Sequence, residues 1–304
     1  FKTGELALDL YRCKGCAPGE LRLKIYYKNV PVILSDVLPI IENLGLQVLS
    51  ELPFEIRASG SEESVWVHDF MLSANREFSD EDLALVKPLF EEALSRIWYG
   101  LMANDGLNRL ILTARMGWRD ILILRTYAHF MKQARYPLGI RFIEKTLYTH
   151  SGISRSLVDL FKALLDPAQH EELEENAKIH EAAIEHALEK VDSLEEDRVV
   201  RSILTIIQAT LRTNFFQPDK NGAAKAYLSV KLDSRAIPDL PQPRPYREIF
   251  VYSPRVEGIH LRGDVIARGG IRWSDRFEDF RTEILGLLKA QQVKNSIIVP
   301  MGAK

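Results

Sequence analysis

Cysteine is nearly absent from this sequence, which limits the metal and redox sites it could contain. The 304 residues include only Cys13 and Cys16, which form the stretch "CKGC". A zinc ribbon needs a second pair of this kind, so that class is excluded. A redox-active pair usually opens a helix, whereas this pair runs into "APGE", which is typical of a turn. We therefore expect two thiols in a loop.

Long apolar runs and an excess of one charge are also missing. No run approaches the roughly 18–20 apolar residues of a membrane-spanning helix, and the first residues, "FKTGELALDLYRCKGC", lack the features of a signal peptide. We expect a cytoplasmic protein without a membrane partner. Forty Lys and Arg against 42 Asp and Glu give a net charge of -2, which argues against a nucleic-acid partner.

Residues 1–97 alternate between strand and helix patterns. Apolar and polar residues alternate as in half-buried strands, and two stretches show helical spacing with capping signals. The strands are expected at 21–27, 46–56 and 65–72, and the helices at 35–45 and 79–98. In the first helix, Ser35 is expected as N-cap and Gly45 at the carboxyl end. This order is typical of a ferredoxin-like fold, and residues 5–11 offer another strand. The stretch resembles an ACT domain, which implies either an amino-acid effector or a packing domain without a ligand.

Residues 98–217 carry apolar residues at helical spacing, and we predict a helical region there. His180 and His186 are six residues apart, which does not place two ligands on one helix face, so no metal site is indicated. A proline-rich stretch at 219–248 favours an extended chain and a domain boundary. Two strands are expected after it, at 248–253 and 256–262.

The last 38 residues hold the most informative pattern, "ARGGIRWSDRFEDFRTEILGLLKAQQVKNSIIVPMGAK". Gly269 and Gly270 permit a close backbone approach to a ligand, and Arg268 beside them suits a carboxylate. A helix is expected to run to about Lys294. Its mostly apolar stripe comprises Phe280, Ile284, Leu287, Gln291 and Lys294.

A short apolar run at 296–300 predicts a buried strand, and Met301–Lys304 would lie at its carboxyl end, where open α/β sheets bind ligands. The cations of Arg268, Lys294 and Lys304 would then suit a dicarboxylate. The alternative is that they are three unrelated surface cations.

This stretch resembles the signature of amino-acid dehydrogenases: a "GG-x-R" turn, a helix ending in a substrate lysine, and a "P-x-G-G-x-K-G" loop. It is most similar to the large NAD-specific glutamate dehydrogenases of bacteria, and the likeness extends upstream to about residue 248. The resemblance implies that Lys304 is catalytic, that Lys294 holds the substrate α-carboxylate, and that Arg268 holds the side-chain carboxylate. The site would also include Gly269, Gly270, Met301 and Gly302. Two departures stand out, since "PMGAK" has one glycine where the smaller enzymes have two, and Arg268 stands where they have lysine.

The resemblance further implies an α+β chain in three parts: an ACT-like domain at 1–97, a helical region at 98–217, and at 218–304 the start of the α/β substrate domain. Its reaction is the oxidative deamination of L-glutamate to 2-oxoglutarate and ammonia, with NAD as cofactor. The sequence has no G-x-G-x-x-G fingerprint, so we expect a domain outside this chain to bind NAD, the chain alone to be inactive, and the enzyme to be a homo-oligomer. The alternative is a regulatory amino-acid-binding segment or a structural assembly segment.

Overall fold

The computed structural model describes residues 6–60, 62–168, 173–266 and 278–295, with the backbone alone at 173, 174, 294 and 295. It divides the chain into two compact units, residues 1–121 and 122–304. The boundary falls inside a helix, Trp118–Gln133. Each unit combines helices with one four-stranded antiparallel sheet, so the predicted α+β class is confirmed.

The first unit is built on a sheet with two helices against one face. Its elements are β1 (Ala7–Tyr11), β2 (Glu20–Lys28), α1 (Leu34–Asn43), β3 (Leu46–Arg57), β4 (Ser64–Ala74), α2 (Asp80–Trp98) and α3 (Leu110–Ala114), followed by the start of α4 (Trp118–Gln133). The strand order is β1-β2-β4-β3. This is the ferredoxin-like order, with one difference: the edge position beside β2 is taken by β1, which precedes the first βαβ unit along the chain.

Alternation along the strands builds the core of this unit. Leu23 on β2 pairs with Phe70 on β4 and with Leu10 on β1, and all three side chains are fully buried. On the opposite face, Arg22 pairs with Asp69 through two hydrogen bonds of 3.0 and 2.7 Å. Period-two alternation thus separates the helix-covered face around Leu23 from the face that carries Arg22 and Asp69, as the sequence predicts. On β3 this second face is apolar, since Leu52 pairs with Asp69 and is 53% exposed.

Caps and turns in this unit are partly as predicted. The hydroxyl of Ser79 accepts from the Asp82 N–H at 3.0 Å and caps α2 as expected. Gly45 follows α1 with a φ of +93°, the left-handed conformation that glycine adopts at a helix end. Ser35 is not the N-cap of α1, because the helix begins one residue earlier, at Leu34, after Ile33. Its hydroxyl instead lies 3.5 Å from the Asp36 carboxylate.

The expectation of two free loop thiols is wrong. Cys13 and Cys16 lie in the loop between β1 and β2, as predicted, but they are joined by a disulfide. The turn places their Cα atoms 5.3 Å apart, which is within the range that a disulfide spans. Gly15 lies inside the loop with a φ of +92°, and this conformation makes the tight turn accessible.

The second unit continues from α4 with helices and then a second sheet. Its further elements are α5 (Ile140–Thr149), α6 (Ser151–Leu165), α7 (Leu173–Leu188), α8 (Leu194–Gln208), β5 (Thr210–Thr213), β6 (Leu228–Leu232), β7 (Arg247–Tyr252), β8 (Glu257–Arg262) and α9 (Phe280–Asn295). The strands follow the order β5-β6-β7-β8. The ring of Phe250 on β7 packs against that of Phe130 on α4, with 5.6 Å between the ring centroids, and both side chains are fully buried.

Two predictions for this unit need correction. The helical pattern was expected to run to residue 217, but β5 occupies Thr210–Thr213, where two β-branched threonines favour a strand. The stretch at 219–248 was expected to be a domain boundary that runs extended through its prolines, with no strand assigned to it, but the paired strand β6 lies in it before the first of those prolines. The alternation in "LSVKL", with Leu228, Val230 and Leu232 buried, carries the strand signal that the prolines around it obscure.

Candidate active site

The site residues predicted from the sequence lie at the end of the second unit. Arg268, Gly269, Gly270, Met301, Gly302 and Lys304 lie outside the described residues, as does the strand predicted at 296–300. Lys294 lies in the last turn of α9, which ends at Asn295, so the predicted end of the helix is confirmed. The structure therefore describes two neighbouring elements in the sequence: the β7–β8 hairpin, which precedes the glycine pair, and α9, which separates the glycine pair from the closing residues 301–304.

The β7–β8 hairpin precedes the predicted glycine pair in the sequence. Arg247 pairs with Arg262 at one end of the β7–β8 ladder and Tyr252 with Glu257 at the other. Ser253 closes the turn, because its hydroxyl accepts from the Val256 N–H at 3.1 Å and its own N–H donates to the Val256 carbonyl at 2.9 Å. β8 then ends at Arg262, six residues before Arg268.

The buried face of α9 is rotated from the predicted stripe. Phe280 and Ile284 are buried as predicted, but Leu287 and Gln291 are only half-buried. The rest of the buried face comprises Arg281, Leu285 and Leu288. The predicted stripe therefore follows one edge of the buried face, because the sequence pattern did not count an arginine as a core residue.

Arg281 is buried because it meets a carboxylate. Its Nε donates to Oε1 of Glu248 at 2.7 Å and its Nη2 donates to Oε2 at 2.8 Å. The two side chains are 1% and 0% exposed. A bidentate contact of this kind fixes both distance and orientation, so α9 is joined to β7 at a defined point.

Further polar contacts surround this ion pair. The Ser234 hydroxyl donates to Oε2 of Glu248 at 3.2 Å. Gln133, at the end of α4, accepts from the Arg281 N–H at 3.4 Å and donates to Glu257 at 3.0 Å. The other oxygen of Glu257 lies 2.6 Å from Nδ1 of His129. The first turn of α9 is thus linked by polar contacts to α4, β7 and β8.

The opposite face of this sheet carries partly buried basic groups. His260 on β8 pairs with Ile249 on β7, and burial lowers the pKa of its imidazole, with a further decrease from the charge of Arg262. Arg247 forms an ion pair of 2.8 Å with Asp233. Neither group is directed toward the helix-covered face, because strand residues alternate between faces.

The first unit has a cleft of its own, beside the disulfide loop. It measures about 430 Å³ and is lined by residues 12–21 together with Glu77, Phe78 and Asp80. Arg12 spans part of it, donating to the Phe78 carbonyl at 3.1 Å and pairing with Asp80 at 3.1 Å. The cleft is therefore polar, with both charge signs at its edges.

Several site classes have no counterpart in the described residues. Within those parts of the chain, no group of three or more His, Cys, Asp or Glu could hold a metal ion, and no helix is long and apolar enough to cross a membrane. The strand pairs there are all antiparallel, whereas a dinucleotide fold needs parallel strands joined through a helix. The described strands therefore do not form a dinucleotide-binding fold.

Comparison with protein families defines the class first. The model "Glutamate dehydrogenase, ACT3 domain" matches residues 5–85, and "Glutamate dehydrogenase, helical motif 3" matches residues 102–167. The model "Bacterial NAD-glutamate dehydrogenase, catalytic domain" matches residues 183–304. An ACT domain, a helical motif and the start of a catalytic domain, in this order, define the class as a multidomain amino-acid dehydrogenase.

Individual relatives narrow the class to one family. The chain is 49% identical over 302 residues to the NAD-specific glutamate dehydrogenase of Pseudomonas aeruginosa and 48% identical over 299 residues to that of Halomonas elongata, in both cases over 98% of its length. The protein of the same name from Mycobacterium tuberculosis is 43% identical over 278 residues, or 89% of the chain. The chain belongs to the bacterial NAD-specific glutamate dehydrogenase family, and it spans 18% of the length of the first two relatives and 17% of the third.

Proposed function

We propose that this chain is a segment of an NAD-dependent glutamate dehydrogenase and supplies the first part of its substrate site. The reaction is the reversible conversion of L-glutamate, NAD+ and water to 2-oxoglutarate, ammonium, NADH and a proton. The main support is that the catalytic-domain match covers residues 183–304. That range contains the glycine pair, α9 with Lys294, and the closing "VPMGAK".

The roles of the site residues follow from their chemistry. Lys294 pairs with the α-carboxylate of glutamate and Arg268 with the side-chain carboxylate, because cations bind carboxylates through charge-assisted hydrogen bonds. Gly269, Gly270 and Gly302 have no side chain and so let the backbone approach the substrate closely, and Met301, beside Gly302 in the sequence, is assigned to substrate binding with them. Lys304 accepts and returns the proton that leaves the substrate amine or the attacking water, which requires a neutral amine at working pH.

NAD, when bound, accepts the hydride from the α-carbon, and a domain outside this chain holds it. The contribution of this chain is to bind the two carboxylates, orient the α-carbon and move a proton at the Lys304 Nζ. The isolated 304-residue chain is consequently expected to produce no NADH.

The deciding experiment is glutamate-dependent NAD reduction by the full-length polypeptide, with aspartate and alanine as comparison substrates. Turnover that requires glutamate and NAD supports the proposal. A full-length enzyme that turns over alanine but not glutamate contradicts the dicarboxylate site. The isolated chain is assayed in parallel, and NADH production by it would contradict the assignment of NAD binding to another domain.

A second candidate function is amino-acid sensing by the first unit, which the ACT3 match and the polar cleft beside Arg12 support. Both charge signs at the cleft would suit a zwitterion. Effectors are screened on full-length enzyme and on the enzyme lacking residues 1–97. An effector response that survives the deletion contradicts this function.

A further inference from the structure

We propose that Glu248 and Arg281 form a positioning pair for the dehydrogenase reaction: by fixing α9 on the sheet, they set where Lys294 meets the substrate. The inference rests on the proposed function, since it assumes that Lys294 is a substrate ligand. Neither residue is assigned a contact with substrate or cofactor.

Burial and geometry make this pair a precise attachment. Both side chains are almost fully buried, at 0% and 1% exposure, and two hydrogen bonds of 2.7 and 2.8 Å join the guanidinium to the carboxylate. The Ser234 hydroxyl occupies a further position on Glu248 at 3.2 Å. A fork held at two points resists both rotation and sliding of the helix.

The backbone at the start of α9 is held as well. The N–H groups of the first helical turn have no partner within the helix. Gln133 accepts the N–H of Arg281 at 3.4 Å, and its amide nitrogen donates to Glu257 at 3.0 Å. The side chain of Arg281 thus ties the first turn of α9 to β7, its backbone ties the turn to α4, and Gln133 extends the connection to β8.

Stability alone does not account for an ion pair in this position. A buried pair loses the hydration of both charges, and apolar residues of similar size often stabilise a fold equally well or better. α9 already packs Phe280, Ile284, Leu285 and Leu288 into the core. Apolar packing opposes separation of the helix from the sheet but is not directional, whereas the pair specifies one rotation and one axial position.

A small change in the orientation of α9 at Arg281 displaces its other end, where Lys294 lies. Lys294 lies 13 residues after Arg281 in the same helix, so about 20 Å separates them along the axis at 1.5 Å per residue. A tilt of about 3° at the attached end moves the other end by about 1 Å, and an error of that size in a substrate-positioning residue can lower the rate by about 100-fold.

The test uses full-length enzyme in which Glu248→Leu and Arg281→Met are combined. The apolar pair is expected to keep the melting temperature and KM for NAD near the parent values, while KM for glutamate rises at least about fivefold, a part of the loss that misplacement can cause. The matched control combines Asp197→Leu with Arg201→Met, which removes a partly exposed ion pair on α8 together with the contact of Arg201 with Glu185 on α7, and it is expected to change neither KM. An unchanged KM for glutamate in the Glu248/Arg281 variant, or an equal rise in both KM values, overturns the proposal.

A double-mutant cycle with Lys294→Ala shows whether the pair acts through that lysine. If it does, the Glu248/Arg281 change has little further effect on KM for glutamate once Lys294 is gone. A full additional rise in KM for glutamate overturns the proposal. If Lys294→Ala alone leaves KM for glutamate unchanged, the proposed role of Lys294 is wrong, which is a failure of the proposed function rather than of the measurement on the ion pair.

Should the apolar pair fail to fold, the variant Arg281→Lys replaces it, since lysine keeps the positive charge but lacks the two-pronged guanidinium. The same selective rise in KM for glutamate is expected, and its absence overturns the proposal.

Discussion

His68 and Glu51 are joined inside the first unit, with Nδ1 of the imidazole 2.7 Å from a carboxylate oxygen. The other ring nitrogen, Nε2, accepts the backbone N–H of Val32 at 2.9 Å. Because a backbone N–H can only donate, Nε2 carries no proton, and the proton of the neutral ring lies on Nδ1 and is donated to Glu51. One buried side chain therefore connects β3, β4 and the loop before α1.

His68→Leu is expected to destabilise the first unit. The substitution leaves the Val32 N–H and the Glu51 carboxylate without this partner, at a cost of about 1–3 kcal/mol. Urea denaturation followed by circular dichroism measures the change. His186→Leu is the control, because the His186 side chain is 70% exposed, and it is expected to change stability by less than about 0.5 kcal/mol. Equal effects of the two substitutions would contradict the assigned role of His68.

The disulfide predicts how the two cysteines react. A free cysteine thiolate attacks iodoacetamide, whereas a disulfide sulfur does not, so the two cysteines of the chain purified without reductant are expected to take up no label, even in denaturant. After treatment with dithiothreitol, the mass of the intact protein is expected to rise by two carbamidomethyl groups, one each on Cys13 and Cys16. Labelling before reduction would show that the two sulfur atoms are not joined.

His260 is expected to make stability depend on pH. Burial, and then Arg262, lower the pKa of its imidazole in the folded state, so the unfolded chain binds the proton more readily. Protonation of His260 therefore destabilises the fold. This loss of stability is complete below the pKa of His260 in the folded state, decreases as pH rises, and vanishes above the pKa of about 6.5 in the unfolded chain. His260→Gln should therefore narrow the difference in melting temperature between pH 5 and pH 8. The exposed substitution His186→Gln serves as control, and an equal narrowing in both would contradict the prediction.

Lys294→Ala in the full-length enzyme is expected to weaken glutamate binding selectively. Losing a charge-assisted contact with a carboxylate costs roughly 1.5–3 kcal/mol, which is about a ten- to hundredfold rise in KM for glutamate. KM for NAD should stay near the parent value. Lys289→Ala alters an exposed lysine of the same helix and is expected to change neither constant. A rise in KM for NAD with glutamate unaffected would show that the assigned role is wrong.

Lys304→Ala is expected to lower kcat at least about 100-fold, the contribution typical of a general acid–base group. A free lysine titrates at about 10.4, so a base working near neutral pH needs an environment that favours the neutral amine, such as neighbouring cations or burial. Lys304→Arg should fail equally, because arginine does not deprotonate in this range. The acid-side decrease of the pH–rate profile should disappear in both variants. If Lys304→Arg keeps kcat near the parent value, Lys304 binds a carboxylate and does not transfer a proton.

Local patterns in the sequence determined much of the fold. The alternation of apolar and polar residues predicted β2, β3 and β4, and the capping signal at Ser79 predicted the start of α2. The apolar spacing predicted the end of α9 to within one residue of the observed Asn295. The family also followed from a short run of residues around the glycine pair and Lys294, since a signature needs only residue types and spacing. These features depend on neighbours within a few residues, which a sequence displays directly.

Tertiary structure alone decided which segments meet. β1 pairs with β2 at the edge of the first sheet, β5 interrupts the predicted helical region, and Cys13 is bonded to Cys16. Glu248 and Arg281 are 33 residues apart, and nothing local in either segment marks them as buried partners. The physical reason is that a buried charge is tolerated only when an opposite charge is brought to it, and the fold as a whole, rather than either stretch of sequence, determines whether the two meet.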